Sequence, residues 1–198
     1  MAEYVMNLPI KNEDVEKLKL GDTIYLNGIV YTARDMGHLE IKKLYGENKP
    51  LPENLEGSAI FHAGPVCIKD GNKWKMNVIG PTTSIRMEPY ADLIGKIGVK
   101  MIIGKGGLAE DSLKAFKEYK QVYLQAPPGC AVVIADGVKN IKRVHWLENG
   151  MPEAMWVLEV QNFGPFIVAM DAHGNSIYNN IAKKAEKAIE NSKLLKDV

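Results

Sequence analysis

Hydroxyl and cationic side chains cluster in the segment GPTTSIR, residues 80–86, directly after a predicted strand. Thr82, Thr83 and Ser84 stand together, and Arg86 lies four positions after Thr82. Hydroxyl groups and free backbone amides at a helix start can bind an anion, but the same residue types are frequent helix N-caps. The segment therefore indicates either an anion site or a helix cap, and the residue types alone leave both open.

Two further cations follow predicted strand ends, Arg34 in TARD and Lys105 in GKGG. Loops at strand ends carry the sites of many α/β proteins, and arginine binds a carboxylate through two parallel hydrogen bonds. If the three strand ends converge, they form a pocket for a small dicarboxylate or a phosphate ester. Taken singly, Arg34 and Arg86 are better explained by surface ion pairs, and GKGG lacks the spacing of a Walker A loop.

The histidines and cysteines show no metal-ligand spacing, so we predict no metal site on this chain. His62, in FHAGP at a predicted strand end, is a candidate for the site, and His38, four residues after Arg34, is a less direct one. Cys67 and Cys130 form no CxxC pair and are predicted to be free thiols of a reducing compartment.

Composition places the chain among ordinary globular proteins. It has 198 residues, of which 46% are hydrophobic and 25% charged, with a net charge of +1. Such a balance gives no general attraction to nucleic acid or to a membrane surface. The sequence has no apolar stretch of membrane-spanning length and no recognisable leader, so we expect a cytoplasmic protein.

The predicted elements interleave strands and helices in one domain over residues 1–198, which is a mixed α/β fold. Helices are predicted after Asp35, which could cap the first of them, and at the chain end from Ile177. VKMIIGKGG, residues 99–107, is predicted as a buried strand that ends in glycines, and CAVVIADGV, residues 130–138, as a helix in preference to a strand. A hairpin is predicted at Asn27-Gly28, and two strands are predicted to end at Gly64-Pro65 and Gly80-Pro81. Turns at Gly150 and Gly164 are predicted to separate three further strands.

Six stretches together resemble one known family. In chain order they are LNGIVYTARDMGH, FHAGPV, IGPTTSIRMEPY, IIGKGG, APPGCA and MPEAMWVLEVQNFGPFIVAMDAHGNSIY. They are similar to the beta subunit, or C-terminal domain, of class I iron–sulfur fumarases and the related tartrate dehydratases. The resemblance covers roughly residues 15–180, and its specificity lies in the matching order and spacing of many segments.

The resemblance implies a swivelling β/β/α domain and a hydro-lyase that interconverts fumarate and (S)-malate. It implies a [4Fe-4S] cluster on a separate alpha subunit, with the catalytic pocket between the two subunits. Carried over motif by motif, Thr82 is the expected catalytic base, Arg34 and Arg86 bind the substrate carboxylates, and Lys105 contacts the substrate. Thr83 and His62 are secondary candidates for substrate binding. Many relatives have GPTTAGRM, whereas here Ser84-Ile85 precede Arg86, which keeps Thr82 and Arg86 four apart.

Two alternatives stay open at this point. Within the family, the substrate could be L-tartrate or methylfumarate (mesaconate), which differ from malate and fumarate by one hydroxyl or methyl group. Outside it, the chain could be an anion-binding or assembly module without catalysis of its own.

Overall fold

The computed structural model describes residues 1–71 and 73–190. In these ranges the chain forms nine strands: β1 Glu3–Asn7, β2 Thr23–Thr32, β3 Ala59–Phe61, β4 Ala63–Asp70, β5 Lys73–Pro81, β6 Met101–Gly104, β7 Val122–Gln125, β8 Val138–His145 and β9 Met155–Met170.

The same ranges contain six α-helices and two 3₁₀ segments. The helices are α1 Asn12–Val15, α2 Asp35–Gly46, α3 Ala91–Lys96, α4 Glu110–Tyr119, α5 Ala131–Ala135 and α6 Ile177–Glu190. The 3₁₀ segments are Ser84–Tyr90 and Leu147–Asn149. The predicted mixed α/β fold with flanking helices is confirmed. The part of the predicted terminal helix beyond residue 190 lies outside the described residues.

The main sheet is mixed and partly closed into a barrel. Its strand order is β1-β2-β3-β6-β7-β9-β8. The neighbours β2, β3, β6 and β7 run parallel, and β9 runs antiparallel to both β7 and β2. The carboxyl ends of β2, β3 and β6 therefore meet at one edge of the sheet, which is where α/β proteins place their sites.

Two hydrophobic cores cover the two faces of this sheet. Strand residues alternate between them, since successive side chains point to opposite faces. In β3 and β6, for example, Phe61 and Ile103 belong to the core inside the barrel, whereas Ile60 and Ile102 belong to the core under the helices. Helices α2, α3 and α4 cover that second face. All four residues of β6 are buried, as the continuous apolar run predicts.

Strands β4 and β5 form a separate two-stranded antiparallel arm. It leaves the main sheet directly after β3 and returns at Pro81, where β5 ends as predicted. Helix α5, also predicted, packs against β5: a Cβ at Gly80 would lie 3.1 Å from the Cβ of Ala131. The arm therefore brings the segment after Pro81 back to the edge at which β3 ends.

The predicted hairpin at Asn27-Gly28 is wrong. Both residues lie inside β2, which is continuous from Thr23 to Thr32. Gly28 has φ +110° and marks a β-bulge in the pairing with β9, and a Cβ there would lie 2.8 Å from the Leu8 carbonyl oxygen. The glycine is thus explained by a bulge and a close backbone approach, which favour the same residue as a hairpin turn does.

Two other predicted strand boundaries are also wrong. β4 runs through Gly64-Pro65, and β9 runs through Gly164 to Met170. Only two strands, β8 and β9, therefore occupy the region predicted to hold three. None of the helices in the described ranges has the length and apolar character that a membrane crossing needs.

Candidate active site

The candidate site lies at the carboxyl edge of three neighbouring parallel strands. Ala33 and Arg34 follow β2, His62 follows β3, and Lys105 follows β6. The fourth contribution comes from the arm, whose β5 delivers Thr82. The strand ends that carry the predicted cations therefore meet at one edge, with His62 between them.

Backbone hydrogen bonds tie the loop after β5 to this edge. The Thr82 N–H donates to the His62 carbonyl at 2.7 Å, and the Lys105 N–H donates to the Thr82 carbonyl at 3.3 Å. The Ser84 N–H then donates to the Lys105 carbonyl at 3.0 Å. These bonds fix the course of Thr82–Ser84 beside the end of β6 without using any side chain. The hydroxyl groups of the loop are therefore free for other partners.

Thr82 is linked directly to Arg86. The Arg86 Nη2–H donates to Thr82 Oγ1 at 3.1 Å, from the 3₁₀ segment back to the loop that precedes it. Arg86 also donates from Nε and Nη2 to the two oxygens of Asp35, at 3.2 and 2.9 Å. Asp35 is therefore not the predicted side-chain cap. The structure places Arg34 at the N-cap position of α2 and gives it no side-chain cap bond.

Arg34 is held by a different carboxylate, that of Glu153. Its Nε lies 3.1 Å from Glu153 Oε1, but the N–H is not aligned on that oxygen and finds no other acceptor among the described residues. The pair is therefore an electrostatic contact rather than a hydrogen bond. Glu153 Oε2 accepts the Met36 N–H at 3.0 Å, which caps the start of α2.

The Arg34 guanidinium lies against Gly64, and this contact explains the glycine. A Cβ at position 64 would lie 2.6 Å from Arg34 Nη1 and 3.0 Å from the Pro152 carbonyl oxygen. Any side chain here would displace the guanidinium. Gly64 thus makes room for a site residue in the middle of a strand.

Lys105 and Thr83 complete the polar surface. The Lys105 side chain is partly buried, and its ammonium makes no hydrogen bond or ion pair within residues 1–71 and 73–190. Thr83 is exposed and forms an isolated parallel bridge with Lys105. Among the described residues this ammonium has no protein partner, so it is available to an anionic ligand near Thr82, to which the Lys105 backbone is hydrogen-bonded.

A buried hydrogen-bonded cluster supports the loop from below. Ser84 is fully buried, and its Oγ accepts a hydrogen bond from the Tyr123 hydroxyl at 3.0 Å and lies 3.0 Å from His62 Nδ1. The Tyr123 hydroxyl in turn accepts the Gly107 N–H at 3.3 Å. This cluster connects the loop after β5 to β3, β7 and the loop after β6.

His62 and His38 are both buried and stacked edge to face, with ring centroids 5.2 Å apart. Burial lowers the pKa of His38 to about 4, and its Nδ1–H donates to the Arg34 carbonyl at 2.8 Å. Burial, and then the proximity of His38 and Arg86, holds the pKa of His62 well below its usual range. Both imidazoles are therefore neutral near pH 7. With 2% of its surface exposed, His62 lies under the loop, which does not support a direct substrate contact.

Three residues that support the candidate site were not predicted from the sequence: Asp35 as the ion-pair partner of Arg86, Glu153 and Tyr123. Asp35 stands next to Arg34 and so is readily interpreted as a helix cap. Glu153 and Tyr123 are distant in sequence from the groups that they contact, so no local residue spacing indicates these contacts. Their only sequence signal is position, since Tyr123 is in a predicted strand and Glu153 just precedes one.

The described residues do not fit an iron–sulfur cluster. Clusters are held by thiolates, usually three or four of them. Cys67 is buried in the arm, where burial raises the pKa of its thiol to about 12, and Cys130 precedes α5. Within residues 1–71 and 73–190, no three His, Cys, Asp or Glu side chains are grouped to bind a metal ion. The cluster that the resemblance implies therefore has no ligand set in the described part of this chain.

Comparison with known proteins gives a consistent relationship. The sequence profile of the family described as "Fumarase C-terminus" matches residues 2–181. The chain is 50% identical over 184 residues to a Methanocaldococcus jannaschii protein provisionally named L(+)-tartrate dehydratase subunit beta, covering 92% of this chain and 94% of that protein.

Two further relatives extend the range of names. The L(+)-tartrate dehydratase subunit beta of Escherichia coli is 44% identical over 174 residues, covering 87% of this chain and 85% of that protein. A Geobacillus stearothermophilus protein provisionally named class I fumarate hydratase is 43% identical over 182 residues, which are 91% of this chain but 34% of the longer protein. A profile match over nearly the whole length, together with these identities, shows that the chain belongs to the fumarase C-terminal family.

Proposed function

We propose that this chain is the beta subunit of a two-subunit class I hydro-lyase that hydrates fumarate reversibly to (S)-malate. Its substrate is a small dicarboxylate, and its partner is the alpha subunit that the family resemblance implies. The observation that carries the proposal is the hydrogen bond from Arg86 to Thr82, placed at the strand edge beside Lys105. A hydroxyl group held by one cation, at a sheet edge where β2 and β6 are each followed closely by a further cation, suits proton transfer next to a carboxylate.

The cations have the roles of binding and charge stabilisation. Arg34, Arg86 and Lys105 hold the two carboxylates of the substrate. Removal of the C3 proton of malate builds up negative charge on the neighbouring carboxylate, and cations fixed in place stabilise that charge in the transition state. Thr83, exposed beside Lys105, is a further candidate for substrate contact.

Thr82 is the proposed base for the C3 proton. A threonine hydroxyl is a weak base at its ordinary pKa and needs a neighbour that favours its ionised form. The Arg86 N–H donated to Thr82 Oγ1 favours that form, since hydrogen bonds to a charged group stabilise it. His62, together with Ser84 and Tyr123, supports the loop that carries Thr82. In this proposal His62 does not contact the substrate.

The partner is expected to complete the site. In the Geobacillus relative the same segment accounts for 34% of a longer chain, which supports a division of the enzyme into two parts. We assign the [4Fe-4S] cluster to the alpha subunit, where the resemblance puts it. When bound there, it supplies a Lewis acid for the substrate hydroxyl. Free cysteines in this chain suit a cytoplasmic location.

L(+)-tartrate dehydration is the second candidate reaction. The observation in its favour is that the relatives from M. jannaschii and E. coli carry that name. Tartrate differs from malate by one hydroxyl group, so the same cations and the same Thr82 would serve. Mesaconate hydration is a third possibility of the same chemical kind.

The test is anaerobic assay of the chain, alone and co-expressed with its candidate alpha partner, on fumarate, L-tartrate and mesaconate. We expect turnover only in the pair, with fumarate the best substrate, and loss of turnover in Thr82→Ala with intact assembly and cluster content. A higher kcat/KM for L-tartrate would retain the mechanism and change the substrate. An inactive pair with a complete cluster would favour an assembly module, and an active Thr82→Ala pair would remove Thr82 from the mechanism.

A further inference from the structure

Asp35 has both carboxylate oxygens on Arg86. Arg86 Nε donates to Oδ1 at 3.2 Å and Nη2 donates to Oδ2 at 2.9 Å, which is the two-pronged arrangement of an arginine and a carboxylate. The two residues are 51 positions apart in the chain, and they join the start of α2 to the 3₁₀ segment after Thr82. The pair thus connects the elements that carry the two candidate arginines.

Asp35 stands at a helix start, a position at which a carboxylate often caps the helix, but here Glu153 makes the capping contact. The Met36 N–H in the first turn of α2 donates a hydrogen bond to Glu153 Oε2. The Arg34 carbonyl is taken by the His38 N–H at 2.9 Å and by the His38 ring. The helix start is therefore capped without Asp35, whose hydrogen bonds go to Arg86.

The pairing restricts how Arg86 can meet a ligand. A guanidinium has five N–H groups in a rigid fork. Asp35 takes the one on Nε and one on Nη2, and Thr82 Oγ1 takes the other on Nη2. The two N–H groups of Nη1 are left for a substrate carboxylate. With 44% of its side chain exposed, Arg86 would sample many rotamers if Asp35 did not select one.

We propose that Asp35 is a positioning residue for the reaction: it orients Arg86 so that Nη2 donates to Thr82 while Nη1 is left for the substrate. The inference rests on the proposed function, because that function gives Arg86 and Thr82 their roles. As a partly exposed ion pair, Asp35–Arg86 adds little to the stability of the fold. Its contribution is orientation, and misplacing an oriented group by about 1 Å can lower a rate by about 100-fold.

Kinetics of the pair reconstituted with the alpha subunit give the first test. Asp35→Asn keeps the size but replaces one acceptor oxygen by an N–H₂ group, so the two-pronged pairing is lost. We expect kcat to fall by about 10- to 100-fold and KM to rise several-fold. Asp35→Glu keeps a carboxylate, so its kcat and KM should lie between those of Asp35→Asn and those of the wild type. A loss of folded protein alone would lower kcat and leave KM unchanged.

A double-mutant cycle shows whether Asp35 acts through Arg86. Arg86→Lys keeps a charge but cannot form the fork. If Asp35 works by orienting Arg86, Asp35→Asn should have little further effect in the Arg86→Lys background. Asp92→Asn is the matched control, because Asp92 pairs with Lys96 at 2.7 Å on α3 and is outside the candidate site. It should leave kcat and KM unchanged.

The Nε–H resonance of Arg86, followed by ¹⁵N–¹H NMR on the full chain, tests the orientation without any activity. We expect a restrained, slowly exchanging Nε–H in the wild type and an averaged one in Asp35→Asn. A mobile Arg86 Nε–H in the wild-type chain, when its reconstituted pair is active, would overturn the role of Asp35. Wild-type kinetic constants in the Asp35→Asn pair, or the same loss from Asp35→Asn in the Arg86→Lys background as in the wild type, would do so too. An inactive wild-type pair with a restrained Arg86 would overturn the proposed function instead.

Discussion

At the residue scale, the two candidate arginines are held differently by carboxylates of their own chain. Arg86 donates three hydrogen bonds, two to Asp35 and one to Thr82. Among the residues that the structure describes, the one polar side-chain contact of Arg34 is the unaligned contact with Glu153, so more of its donors are available to a ligand. We therefore expect Arg34 to act mainly in binding, and Arg86 to act in both binding and proton transfer.

This difference leads to a prediction for the alanine variants in the reconstituted pair. Arg34→Ala and Arg86→Ala should each lower kcat/KM by about 100-fold or more, since each removes a proposed charged contact to a substrate carboxylate. The loss in Arg34→Ala should appear mainly in KM, and that in Arg86→Ala in kcat as well. Steady-state kinetics on fumarate and L-tartrate measures both.

Arg143→Ala is the control for these variants. Arg143 also forms a two-pronged pair, with Glu53 at 2.6 and 2.9 Å, but it lies on the edge strand β8. The Arg143→Ala variant should therefore have the kcat and KM of the wild type. Near-normal kcat/KM in either site variant would remove that arginine from the site.

The residues that sequence could identify are those whose chemistry is local. Thr82 and Arg86 stand four apart in one short motif, so the chain brings them together locally although Thr82 precedes the 3₁₀ segment. The residues that support them are distant in sequence: Glu153 caps a helix start 117 positions away, and Tyr123 meets Ser84 across 39 positions. Such contacts depend on the strand order, which no single segment encodes.

At the element scale, glycines explain both the successes and the errors of the predicted boundaries. Gly80-Pro81 does end a strand, but Gly28, Gly64 and Gly164 lie within strands. The absence of a side chain at these places serves close packing: against Leu8 at Gly28, and against Arg34 at Gly64. Turn and close approach select the same residue, so sequence alone could not separate them.

Gly104, at the end of β6, is the glycine on which the site loop depends. A Cβ there would lie 1.9 Å from Ser84 Oγ and 3.0 Å from the Tyr123 hydroxyl oxygen. Gly104→Ala should therefore displace Ser84 and the neighbouring Thr82. We expect lower activity of the reconstituted pair, by about 10-fold or more, and a lower Tm, since overpacking typically costs about 1–3 kcal/mol.

Gly46→Ala is the matched control for this substitution. Gly46 ends α2, and a Cβ there would meet no atom within 4 Å. Its φ is not positive, so alanine should leave Tm and activity unchanged or raise Tm slightly. Wild-type Tm and activity in Gly104→Ala would show that the Ser84–Tyr123 contact does not position the loop.

At the scale of the whole molecule, the site and the core are connected through the two buried histidines. Closure of the sheet by β9 and the packing of α2 over β3 place His38 and His62 beneath the polar edge. His62 faces Ser84, Arg86 and His38, while His38 faces Tyr90 and the Arg34 carbonyl and has Asp35 nearby. In the described part of the chain neither imidazole has a buried carboxylate to pair with if it becomes protonated, so protonation opposes the folded state.

The sign of the resulting pH dependence follows from the lowered pKa values. Well above pH 6.5 both histidines are neutral whether the chain is folded or unfolded, so they do not change the free energy of unfolding there. As pH falls from 6.5 towards 4, the unfolded chain binds protons that the folded chain does not, so the free energy of unfolding decreases. For His38 alone the loss at pH 5 is about 2 kcal/mol, from about 1.4 kcal/mol for each pH unit.

Urea unfolding of the chain between pH 7.5 and 4.5 measures this loss. His38→Asn keeps an N–H donor near the position of Nδ1 and removes the titrating group, so its stability should fall less steeply below pH 6.5 than that of the wild type. His173→Asn, at an exposed histidine, should follow the wild-type curve. Parallel curves for wild type and His38→Asn would mean that His38 accepts a proton in the folded chain as readily as in the unfolded one. The polar edge would then be open to water down to His38, and the neutral support proposed beneath Thr82 and Arg86 would be lost.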